Sequence, residues 1–91
     1  MNVVWAIGPE VAWVDGEEDR VAVLDLDRPD ELPLVLTQTS AVIWRCVDGT
    51  SGDDEIVMRV AAEYEVNADE IREQVLAFLT ELGQRHLIVR T

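Results

Sequence analysis

Residues 33–47, PLVLTQTSAVIWRCV, change their period midway, and that change decides the fold. Pro33 to Leu36 is a short apolar run. Its first residue has no N–H for a ladder, which suits the start of an edge strand. From Gln38 onward the spacing is helical, with Ala41, Ile43, Trp44 and Val47 on one apolar side. Thr39 or Ser40 is placed to cap this helix, and Asp48-Gly49 ends it. A strand thus runs straight into a helix.

Upstream, the pattern is strand-like from Glu10. Val11 and Trp13 alternate with Ala12 and Val14, and Asp15-Gly16 opens a turn. Val21 to Asp27 (VAVLDLD) is rich in β-branched and aliphatic residues, and Arg28-Pro29-Asp30 punctuates it. Three short strands in series imply an antiparallel meander with an open edge.

Downstream, Asp53 or Asp54 starts a second helix with Ile56, Val57, Val60 and Ala61 as its apolar stripe, closing near Tyr64. Asn67-Ala68-Asp69-Glu70 reads as a capping box, with Glu70 reaching back to Asn67. A third helix runs to about Arg85, with Ile71, Val75, Phe78, Leu79 and Leu82 recurring at three and four. Leu76 lies off that stripe and widens the apolar face. Leu87-Ile88-Val89 is an apolar tail expected to pack, whereas Met1 to Gly8 has no assigned place. The expected fold is α+β: a three-stranded antiparallel sheet followed by a three-helix, winged-helix-turn-helix-like bundle. Residues 1–91 are too few for a second core, so one domain is expected.

The chain carries 19 Asp and Glu against 7 Lys and Arg, a formal net charge of −12. Such a surface repels the phosphates on which nucleic-acid affinity rests, and anionic membranes equally. No apolar run approaches the roughly 20 residues a spanning helix needs. Neither a nucleic acid nor a membrane is expected as partner. A DNA reader would aim Arg, Lys and Asn from its last helix; here that helix carries Asp69, Glu70, Glu73 and Glu81 against Arg72 and Arg85. The single cysteine, Cys46, cannot close an internal disulfide and reads as a buried thiol, which fits a reducing, cytoplasmic setting. His86 sits at a helix end, far from Cys46 in sequence. No catalytic residues, no metal ligands and no cofactor are expected.

Residues 35–44 (VLTQTSAVIW), Asp48-Gly49, 54–66 (DEIVMRVAAEYEV) and 74–88 (QVLAFLTELGQRHLI) together resemble the PqqD family. Its members are stand-alone recognition elements that hold ribosomally made precursor peptides for modifying enzymes. The segment Arg28 to Leu32 is more similar to the proteins that present leader peptides to lasso-peptide proteases. Two features depart from the family pattern. Glu65 and His86 stand where glycine is usual, at helix ends that favour a left-handed residue, at a cost of about 1 kcal/mol. Thr37 stands where the family has Asn.

The resemblance implies that a leader peptide pairs antiparallel with the third strand and lays its side chains against the third helix. The candidate peptide-binding residues are Leu34, Val35, Leu36, Arg72, Val75, Leu76 and Leu79. Leu34, Leu36, Val75, Leu76 and Leu79 read equally well as core, and Arg72 as a solvated surface residue. The implied partners are the precursor leader and a peptide-modifying enzyme or leader protease. Two other functions are compatible with the residues: an acidic winged-helix regulator, and a scaffold subunit whose open strand pairs with its own copy.

Overall fold

The structure, a computed structural model, describes residues 3–17 and 20–91. Eight elements follow in order: β1 (Trp5–Ile7), β2 (Val11–Asp15), β3 (Arg20–Asp25), β4 (Leu34–Thr37), α1 (Thr39–Arg45), α2 (Asp53–Tyr64), α3 (Ala68–Gln84) and β5 (Ile88–Arg90). Strands β2, β3 and β4 form the antiparallel meander, in that spatial order. Strand alternation buries Val21, Val23 and Leu36 on its inner face. A cross-strand row of Val14, Ala22 and Val35 lies on its outer face, with Val14 and Val35 well exposed.

The inner face meets the helices at one core. Trp44, Ile43, Ile56, Val57, Val60, Val75, Leu79 and Leu82 are almost wholly buried there. Trp44 is fully enclosed, and its ring meets Trp13 of β2 edge to face, with centroids 6.1 Å apart. Cys46 is buried beside it in sequence. Burial raises the Cys46 thiol pKa, against the opposing pull of Arg59.

The N-terminal segment, unplaced by pattern alone, pairs with the apolar tail. β1 and β5 form a second, two-stranded antiparallel sheet in the register Trp5↔Arg90, Ala6↔Val89, Ile7↔Ile88. Trp5 is nearly buried, its indole Nε1–H donating to Asp53 Oδ1 at 2.6 Å, while the Arg90 guanidinium stacks 4.6 Å from the ring centroid. Gly83 lets α3 come this close, because a Cβ there would lie 3.3 Å from the Trp5 ring.

The second helix starts at Asp53 as read, and the caps of the first and third differ from the sequence reading. α1 begins directly after Gln38, so neither Thr39 nor Ser40 is the cap. Gln38 has φ 54° and ψ −125°, a positive-φ conformation at the sharp passage from strand to helix. Gly52 precedes α2. Asn67 is the N-cap of α3 but makes no side-chain cap bond; its carbonyl accepts the Glu70 N–H instead. The two helix ends without glycine do turn left-handed, at Glu65 (φ 55°) and His86 (φ 61°).

A loop between α1 and α2 locks β1 in place. The Asp48 carboxylate accepts the Thr50 and Ser51 N–H groups at 2.9 and 3.0 Å, and Arg59 Nη1 at 3.1 Å. The loop backbone in turn holds β1: the Trp5 N–H donates to the Ser51 carbonyl and the Gly49 N–H to the Trp5 carbonyl. These donors, the Thr50 N–H foremost, hold the Asp48 pKa at about 2. A carboxylate with a depressed folded pKa stabilises the fold above its unfolded value near 3.9, and that contribution fades as pH falls toward 2. Asp48→Asn is therefore expected to lower the melting temperature at pH 5, with the gap to wild type closing by pH 2. A gap that stays constant from pH 5 to 2 in thermal scans would remove Asp48 from the acid response.

Candidate peptide-binding groove

Which backbone groups of the sheet remain free follows from its ladder. Between β2 and β3, the Gly16 N–H donates to the Arg20 carbonyl and the Leu26 N–H to the Glu10 carbonyl. Antiparallel ladders alternate, so residues 20, 22, 24 and 26 turn their N–H and C=O toward β2. Val21 and Val23 then turn theirs toward β4, where their register partners are Leu36 and Leu34. Leu34 and Leu36 are thus committed to β3. The N–H and C=O of Val35 and Thr37 point outward, away from the sheet.

That open edge borders α3. Beside the start of β4, Leu32 and Leu34 face Gln84, Arg85 and His86 across a hollow. Beyond its end, Thr39, Ser40 and Ile43 face Gln74, Ala77, Phe78 and Glu81 across another. The first hollow lies between the start of β4 and the end of α3, and the second between α1, which follows β4, and the middle of α3, so α3 runs antiparallel to β4. An extended chain pairing antiparallel with β4 would therefore run parallel to α3, ending at the Leu34–Arg85 side.

Of the residues expected to bind peptide, the structure brings Leu34 and Val35 to this edge. Leu36, Val75 and Leu79 sit beneath it in the core, 4% exposed or less. Arg72 and Leu76 lie on the opposite flank of α3. Arg72 Nη1 donates to Asp54 Oδ1 of α2 at 2.6 Å, and Leu76 shares that flank with Gly83, which faces Trp5. At about 100° per residue, Leu76 and Phe78 point roughly 160° apart. The structure thus places Arg72 and Leu76 on the flank of α3 that faces α2 and Trp5, and Leu34 and Val35 at the strand edge.

Phe78, Ala77, Gln74 and Glu81 were not among the expected residues. Phe78 recurs with the core positions and reads as core by spacing, yet it is only half-buried. Small or polar residues bound it on the wheel at Gln74, Ala77 and Glu81, a faint sign of a helix flank meeting something other than core. Both ends of the groove mix charges: Arg28 pairs with Glu31 at 3.3 Å, and Arg85 with Glu81 at 3.6 Å. Among the described residues, no cluster of His, Cys, Asp and Glu is arranged to hold a metal ion, and no helix is long and apolar enough to cross a membrane.

Comparison with known proteins accords with this geometry. A solved structure described as TbiB1 in complex with the TbiA(beta) leader peptide superposes with a TM-score of 0.78. It is 24% identical, and the match covers 91% of this chain and 93% of that one, which establishes a shared fold. No curated protein matches the chain. The family model for coenzyme PQQ synthesis protein D matches residues 21–88, from β3 through the first residue of β5. A match over that span includes every strand and helix that builds the groove, and the chain belongs to the PqqD family.

Proposed function

We propose that this protein is a non-catalytic recognition element that binds the leader of a ribosomally made precursor peptide and presents it to a processing enzyme. The observation that carries the reading is the outward-facing N–H and C=O groups of Val35 and Thr37 beside a groove walled by α3. A strand edge left open is a liability unless it has a use, and an extended peptide satisfies both backbone and groove. Strand β2 also has an outer edge, but no comparable helix wall stands beside it among the described residues. The solved neighbour's leader complex, in a protein of the same fold, supports the same reading. The bundle is read as winged-helix-like, with its acidic third helix turned toward peptide instead of DNA. The exposed Val14–Ala22–Val35 row on the outer face of the sheet offers apolar surface that a partner enzyme would cover.

The test titrates by calorimetry the leader of a ribosomally made precursor, sought among the short genes near this chain's gene. Phe78→Ala is expected to weaken binding at least fivefold, about 1 kcal/mol. Leu76→Ala, on the other flank, is expected to cost about 1–2 kcal/mol of stability and leave affinity unchanged. The opposite pattern, with Leu76→Ala weakening binding and Phe78→Ala silent, would place the groove on the α2 side of α3.

A further inference from the structure

A second open strand edge lies on the far side of α3. The Val4 and Thr91 backbones exchange hydrogen bonds, and the Gly8 N–H donates to the Leu87 carbonyl. Alternation then makes Ala6 and Val89 the bonded pair between them, so Trp5, Ile7, Ile88 and Arg90 face away from the ladder. For Trp5 the consequence is visible: its N–H and C=O bond the Asp48–Ser51 loop instead. For Ile88 and Arg90 the same geometry turns N–H and C=O outward on the free side of β5. Among the described residues, no backbone bond from a turn or loop reaches either of them.

A groove runs beside this edge, floored by Trp5 and Ile88 and walled by Thr80, Gly83 and Gln84 of α3. Its lining is predominantly apolar, which sets it apart on a chain of net charge −12. Outward backbone groups beside an apolar trough call for an extended main chain carrying apolar side chains. Gln84 and His86 line both this groove and the hollow at the start of β4. The two edges are therefore joined around the C-terminal end of α3.

We propose that β5 is a second strand-pairing site, occupied by the stretch of the precursor that follows the segment bound on β4. This rests on the β4 reading, which sets the direction: a peptide antiparallel to β4 leaves the strand at Leu34, the end lined by Gln84 and His86. A dozen extended residues reach about 40 Å, and the largest dimension of the molecule is 39 Å. The continuation is thus long enough to round the helix end and lie along β5. Its apolar residues would pack in the trough between Thr80 and Gln84 of α3 and the Trp5 and Ile88 floor.

The experiment titrates two synthetic peptides from the precursor whose leader binds in the titration above: the β4-pairing stretch alone, and the same stretch extended by a dozen residues at its C-terminal side. The longer peptide is expected to bind wild type at least fivefold more tightly. Arg90→Pro removes an outward donor without touching the β1 ladder, and Thr80→Tyr fills the trough. Each is expected to abolish the gain while leaving the short peptide's affinity intact. Equal affinities of the two peptides for wild type, or a gain that survives in either folded variant, would overturn the proposal. Loss of short-peptide binding in Val35→Pro, measured alongside, reports separately on the β4 site.

Discussion

Proline at Val35 is expected to leave the protein folded and to weaken leader binding at least tenfold, whereas proline at Leu36 is expected to unfold it. The two positions differ in the direction of the N–H and in the face their side chains occupy. Val35 pairs in register with Ala22, which turns its own polar groups to β2, so the Val35 N–H serves no bond within the sheet. Leu34, the residue before it, is already extended, as a pre-proline residue must be. The new ring removes a free donor and projects into the path of an incoming strand. A tenfold loss corresponds to about 1.4 kcal/mol. Val35→Ala is the control: the side chain stands on the outer sheet face, so its truncation should change affinity far less.

At Leu36 the same substitution breaks the ladder to Val21 and empties a position that is only 4% exposed. Truncating a buried leucine alone costs about 2–5 kcal/mol. With the lost ladder bond, that approaches the 5–15 kcal/mol that domains typically hold in total. Circular dichroism separates the two variants, and calorimetry on the folded one measures the leader. Wild-type affinity in folded Val35→Pro would mean that the peptide does not pair with β4.

Trp44→Ala is expected to produce the largest loss of stability among single side-chain truncations, about 3–5 kcal/mol. The ring is wholly enclosed between sheet and helices and is the inner partner of Trp13. Among the described residues its Nε1–H finds no hydrogen-bond partner, and a buried donor left so is a cost to the native protein. Such a donor costs about 1–3 kcal/mol. Trp44→Phe removes that donor along with part of the ring volume, and is expected to cost less than half as much as Trp44→Ala. Chemical denaturation of both variants measures the difference. Equal losses would show that the indole N–H carries no penalty.

The elements themselves were legible because each announces itself locally. Val21 to Asp25 alternates, Ile56 to Ala61 keeps a helical stripe, and Asp48-Gly49 breaks the chain between them. The left-handed ends at Glu65 and His86 were implied by the family resemblance, whose pattern has glycine at both positions. The residues of Met1 to Gly8 were not legible, since a three-residue strand has too little pattern to show, and Trp5 to Ile7 becomes a strand only by pairing with Ile88 to Arg90 at the other end of the chain.

The candidate site divides along the same line. The open edge at Leu34 and Val35 could be read from a proline-led apolar run, because edge position is a property of local chemistry. The rotation of α3 could not. Val75, Leu76, Phe78 and Leu79 make an apolar arc so wide that spacing alone leaves both flanks equally good as the groove wall. Contacts distant in sequence settle the rotation: Arg72 bonds Asp54, Gly83 receives Trp5, and Val75 and Leu79 close the core. With that flank occupied, Phe78 and Ala77 are left facing the start of α1, where the open strand ends. Sequence determined that this chain builds a short sheet, three helices and an exposed strand; the packing of residues far apart along it decided which face of the last helix that strand meets.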